Sequence, residues 1–168
     1  IGDFAIAKFT HSGSQIIDWT PGGSVAKSRN LYEKFINFVK ESISEIREKG
    51  NEVRLEGIFY HIGENDMSFG PHRTNAPMWI KSIVDQSRKD LENEKLNWYL
   101  SQQSPTDDKS VNMIDVISEI EKIVMSDEHL FRIKTHNIIP QAKKLVISTE
   151  GIVQLGSILC KFYLDTTN

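Results

Sequence analysis

The sequence predicts an α/β domain, a parallel sheet covered by helices on both faces in three layers. Three observations carry that expectation. Short apolar runs alternate with amphipathic helical stretches four times along the chain. Gly, Asn, Asp, Pro and Ser cluster after the apolar runs, where strands would end. At 168 residues, 39% hydrophobic and 26% charged, the chain is sized and composed for one soluble core. A single domain over 1–168 is therefore expected.

The elements follow in order. Phe4 to Phe9 reads as a buried strand, bounded by His11-Ser12-Gly13-Ser14. A loop with Trp19 and Pro21-Gly22-Gly23 leads to a helix from about Leu31 to Glu48. Its apolar stripe is Leu31, Phe35, Phe38, Val39, Ile43 and Ile46, and Gly50 ends it. Val53 to Ile62 is a second strand, stopping at Gly63-Glu64-Asn65-Asp66. After a loop from Met67 to Ala76, a helix from Pro77 to Asn93 starts where a helix tolerates proline. Leu96 to Leu100 is a third strand and Val111 to Met125 a third helix. Leu130 to Lys134 is a fourth strand. Ser148 can cap a last helix from Thr149 to Leu164, whose first turn carries Glu150. In such a sheet ligands bind beyond the carboxyl ends of the strands. That nominates His11–Gly23, Gly63–Arg73, Gln102–Lys109 and Thr135–Ser148.

A net charge of -3, from 20 basic and 23 acidic residues, predicts no nucleic-acid partner. No apolar run is long enough to span a membrane. The lone cysteine, Cys160, lies among helical apolar residues and reads as a small buried hydrophobe. No spacing of His and carboxylates suggests a metal site, and no cofactor is expected.

Two segments carry a resemblance. Ile6-Ala7-Lys8-Phe9-Thr10-His11-Ser12-Gly13-Ser14, with Asp18-Trp19-Thr20-Pro21-Gly22-Gly23 after it, resembles the second conserved block of the sialate O-acetylesterase-like carbohydrate esterases. Gly57-Ile58-Phe59-Tyr60-His61-Ile62-Gly63-Glu64-Asn65-Asp66 resembles that family's third block, with Asn65 restoring the Gly-x-Asn-Asp form of the wider SGNH-hydrolase superfamily. Ser148-Thr149-Glu150-Gly151 resembles the start of the helix that follows the family's catalytic His. The resemblance implies a flavodoxin-like sheet and hydrolysis of an acyl ester, with a small-molecule or carbohydrate ester as partner. It also implies an oxyanion hole formed by the Gly13 N–H and the Asn65 side chain, donors aimed at the developing alkoxide. Glu64, Asp66 and Trp19 are the accompanying substrate-binding candidates.

The family pattern also implies residues that this chain does not show. The nucleophilic serine of that family sits on a Gly-x-Ser-Asn turn after an earlier strand, between the first two strands here. No such segment stands in the sequence, so the expectation is an N-terminally incomplete domain lacking its first strand. The family's Asp-x-x-His falls on Lys143 and Val146, which can neither orient an imidazole nor accept a proton. His136 and His72 are the substitutes on offer. Each candidate also has a plainer reading: Gly13 as a turn glycine, Asn65, Glu64 and Asp66 as loop anchors, Trp19 as packing, and His136 as a surface residue. The alternatives to an esterase are a degenerate binding or scaffolding domain of the same fold, and an unrelated flavodoxin-like binding domain.

Overall fold

A computed structural model describes residues 3–63, 66, 70–102, 114–135, 138 and 147–167. Among them three strands form one parallel sheet in the order β1 (Ile58–Ile62), β2 (Trp98–Gln102), β3 (Leu130–Arg132). Ile58 pairs with Trp98 and Trp98 with Leu130, so the strands start level. Each parallel connection passes through a helix, as parallel pairing requires. The helices are α1 (Tyr32–Glu48), α2 (Gly70–Asp90), α3 (Ile114–Met125) and α4 (Thr149–Thr167).

Strand alternation divides the side chains between two layers. Ile62, Trp98, Leu100 and Leu130 face one side, against Ile80, Ile83 and Val84 of α2 and Ile120 of α3. Phe35 of α1 closes on Trp98, with ring centroids 6.2 Å apart. The other face carries a ladder of rings. Phe59 stacks on Tyr99 at 4.6 Å and Tyr99 on Phe131 at 5.2 Å, and Phe162 and Tyr163 of α4 meet it edge-on or tilted. Helices thus cover both faces, giving the three-layer architecture of the SGNH-hydrolase type. Ser148 caps α4 as expected, its Oγ accepting the Gly151 N–H at 3.0 Å.

Four expectations need correction. Phe4–Phe9 forms no strand: Phe4 is 62% and Ile6 95% exposed, and Phe9 is half-buried against Trp19, Phe35 and Phe38. A strand needs a ladder partner for its N–H and C=O groups. β1 pairs only with β2 among the described residues, leaving no neighbour for this run. The second strand begins at Ile58 rather than Val53, because the ladder to β2 starts there. Helix α2 begins at Gly70 and runs through Pro77. In its first turns Thr74 Oγ1 donates to Gly70 O and Asn75 Nδ2 to Pro71 O. Cys160 is exposed. Helix α4 turns Gly151 and Leu155 inward, and Cys160 falls on its solvent side.

Candidate active site

The loop after the Phe4–Phe9 run folds back on itself at once. Ser14 N–H donates to His11 O, closing a four-residue turn with Gly13 in its third position. Gly13 has φ +69°, the left-handed conformation that this position of such a turn requires and that glycine supplies. Among the described residues a Cβ there would meet nothing within 4 Å, so packing does not demand the glycine. Gly23 differs. Its φ is +65° and an added Cβ would collide with the Asn30 side chain, so this glycine is a packing requirement.

Two buried carboxylates hold the next turn, Ile16–Trp19. Asp18, 1% exposed, accepts the Gln15 N–H on Oδ2 at 2.9 Å and pairs through the same oxygen with Arg29 Nη2 at 3.0 Å. Asp66, 2% exposed, accepts the Ile16 N–H on Oδ1 at 2.9 Å, a bond that spans fifty residues. Asp66 follows the end of β1 by four positions. The bond therefore fixes the loop bearing Gly13 at the carboxyl end of the sheet. Arg29 Nη2 also donates to Gly13 O.

The surroundings are aromatic. The Trp19 ring lies 5.6 Å from Phe9, 6.3 Å from Phe35 and 6.1 Å from Tyr60. This seating makes it the anchor beneath the loop. Burial, and then the charges of Asp66 and Asp18, push the Tyr60 hydroxyl well above its ordinary pKa, so it stays protonated. His72, in the first turn of α2, puts Nδ1 4.0 Å from Asp66 Oδ1, beyond hydrogen-bonding distance, and its ring edge meets Trp79 at 5.5 Å. On the opposite face of the sheet, Ser101 Oγ lies 2.9 Å from His61 Nδ1. Burial lowers the His61 pKa to about 4, so that imidazole is neutral.

Of the residues that the sequence nominates, Gly13, Asp66, His72 and Trp19 gather around one loop. Glu64, Asn65 and His136, with Lys143 and Val146, lie outside the described residues. The polar frame of the site also includes Asp18 and Arg29, which sequence reasoning missed. Asp18 stood within the block-two resemblance, three residues after Gln15, a spacing that lets a side chain reach back to a backbone N–H. Nothing local flags Arg29, since its partners are eleven and sixteen residues away.

Comparison with known proteins gives this arrangement its context. The family described as carbohydrate esterase, sialic acid-specific acetylesterase, matches residues 2–165. The chain belongs to that family. No curated protein sequence matches it. A protein from Arabidopsis thaliana of known crystal structure shares the fold, with TM-score 0.67 at 19% identity. The match covers 91% of this chain and 57% of that one, so the esterase-family chain described here spans little more than half of its structural relative. Among the described residues, no helix is long and apolar enough to cross a membrane, and no three His, Cys, Asp or Glu side chains group to hold a metal ion.

Proposed function

We propose that this domain forms the oxyanion-binding half of a carbohydrate O-acylesterase. In this reading the Gly13 N–H and the Asn65 side chain hold the oxygen that becomes negative as the ester carbonyl is attacked. The supporting observation is the bond from Ile16 N–H to Asp66 Oδ1. It ties the Gly13 loop to the residue directly after Asn65, bringing the two family blocks to one end of the sheet. The turn at His11–Ser14 adds support. Its closing bond uses the Ser14 N–H and not the Gly13 N–H. The nucleophilic serine is assigned to a strand beyond these 168 residues, seated between the Phe4–Phe9 run and the free edge of β1. The substrate class is an O-acetylated sugar or a similar small ester.

A second reading follows from Lys143 and Val146 at the family's Asp-x-x-His positions. A domain without that pair would bind sugar esters without cleaving them. One experiment separates the readings. The 168-residue chain, the natural gene product and its Asn65→Ala variant are assayed on an aryl acetate and an O-acetylated sugar. The esterase reading expects no turnover from the 168-residue chain, because triad members act as a unit and the nucleophile is missing. It expects turnover by the gene product that falls about 100- to 1000-fold in Asn65→Ala. A gene product that binds the acetylated sugar without hydrolysing it supports the second reading and overturns the first.

A further inference from the structure

We infer that Arg29 is a positioning residue for the oxyanion loop, fixing the direction in which the Gly13 N–H points. The inference rests on the esterase reading for its catalytic consequence. Its structural content stands without that reading. One guanidinium nitrogen of Arg29 serves two acceptors, the Gly13 carbonyl and Asp18 Oδ2. Asp18 Oδ2 in turn receives the Gln15 N–H, and the next amide, Ile16 N–H, goes to Asp66. The segment from Gly13 to Ile16 is thus held at three successive points, one by a cation and two by buried carboxylates.

Gly13 is where such restraint matters most. Glycine crosses between positive and negative φ with little penalty, so a turn glycine keeps one conformation only if its peptide planes are held. The Ser14 N–H bond to His11 O is 3.4 Å long, at the weak limit of hydrogen bonding. Ser14 Oγ adds a bond to the same carbonyl at 2.9 Å. The Ser14 N–H shares a peptide plane with the Gly13 carbonyl, so its weak bond orients that plane only loosely, and Arg29 holds the plane at its oxygen. The Gly13 N–H belongs to the preceding peptide plane, whose Ser12 carbonyl lies 3.1 Å from His11 Nδ1, and the φ of +69° joins that plane to the one Arg29 holds. Preorganised donors stabilise a developing oxyanion because they need no reorientation during the reaction.

The role differs from ordinary stabilisation. The Arg29 side chain is 39% exposed, and an ion pair that open contributes little to folding. Its value is geometric, since the two hydrogens of one guanidinium nitrogen lie at fixed directions in a rigid plane and face two acceptors at once. Lysine, a single point charge on a flexible stem, would keep the pair with Asp18 and hold the Gly13 carbonyl less well.

The test uses the natural gene product, its Arg29→Ala and Arg29→Lys variants, and 15N relaxation at Gly13 and Gln15. In Arg29→Ala the order parameter at Gly13 should fall from about 0.85 to below about 0.6, with the strand amides of β2 unchanged. Arg29→Lys should lie between. On an aryl acetate, kcat should drop about tenfold to a hundredfold in Arg29→Ala with KM changed less than about twofold. That is a smaller loss than deleting a donor outright. An unchanged Gly13 order parameter overturns the inference, whatever the rates do. Loosening at Gly13 without loss of kcat in an active enzyme overturns the positioning role. A rise in KM with kcat intact would instead make Arg29 a substrate contact. If the gene product hydrolyses no ester, the esterase reading falls, and relaxation at Gly13 still decides whether Arg29 holds the loop.

Discussion

Two arginines at opposite ends of the sheet face similar partners and do different work. Arg88, near the end of α2, sits at the amino ends of the strands. Its Nη1 and Nη2 reach both oxygens of Asp127, at 2.6 and 3.2 Å, while Nε donates to Leu96 O and Nη2 to His129 O, each at 3.0 Å. Only 10% of its side chain is exposed. Arg29, at the carboxyl ends, pairs with one oxygen of Asp18 and one loop carbonyl, and is 39% exposed. A guanidinium taken from water must be repaid by well-placed acceptors, and Arg88 has them on every side. Arg29 keeps part of its hydration and spends its bonds on loop geometry. The lesson is that one end of the sheet is built to stay closed, and the other to hold the shape of a loop.

The largest expected effect tests the closed end. Arg88→Ala leaves the half-buried Asp127 without its cation and removes a donor from Leu96 O and from His129 O, of which His129 O keeps the Trp98 N–H. Breaking such a pair costs about 3 to 5 kcal/mol, which lowers the melting temperature of a domain this size by roughly 10 °C. Denaturant unfolding should show the loss directly. A cost below about 1 kcal/mol would mean that this cluster is as loose as a surface pair, and the contrast between the two ends would vanish.

A pH series sharpens the same contrast. His61 is neutral in the fold because burial lowers its pKa to about 4, against about 6.5 in the unfolded chain. Between those values the unfolded state binds more protons, so stability rises with pH across the window. The contribution is full above pH 6.5 and is lost as pH falls toward 4, at most about 3 kcal/mol in all. Asp127 is pushed up by burial and, more strongly, down by its bonds to Arg88 and the His129 N–H, so its carboxyl titrates below the usual range. The amino-end pair therefore survives through the His61 window. Unfolding measured from pH 7 to 4 should lose stability in wild type and much less in His61→Gln. An equal slope in both proteins would assign the loss to another group.

Sequence patterns exposed what is periodic and local. The α1 stripe, the Ser148 cap and the run ending at Ile62 are readable because helices and strands repeat at fixed spacing, and caps act over three residues. The Phe4–Phe9 run has the right composition for a strand, but composition does not supply a neighbour, and Phe4 and Ile6 lie exposed. Pro77 looked like a helix start because its missing N–H is harmless in a first turn. In the fold the helix already runs from Gly70, with Pro77 in its interior. At the site, Gly13 and Asp66 were legible through family resemblance. Arg29 and Arg88 were not, because each acts on groups that only the folded chain brings near, across as many as forty-one residues for Arg88 and His129.

The smallest expected effect is the one that most directly separates the two arginines. Arg29→Ala removes a partly hydrated charge, leaving Asp18 with the Gln15 N–H and Gly13 O facing solvent. Exposed pairs of this kind contribute about 0 to 1 kcal/mol. Asp18 is 1% exposed, which pushes the cost toward the upper end, because a buried carboxylate that loses its cation is poorly compensated by one amide. Urea unfolding should therefore show a loss of about 1 kcal/mol with an unchanged m-value, several-fold less than for Arg88→Ala. The Asp18→Asn variant refines the comparison. Its amide oxygen can still accept the Gln15 N–H, and without the buried charge Arg29→Ala should cost almost nothing in that background. Non-additivity of the two substitutions would show that the pair acts as a unit. Full additivity would show that Arg29 and Asp18 act independently, and would leave the Gly13 carbonyl as the sole structural partner of Arg29.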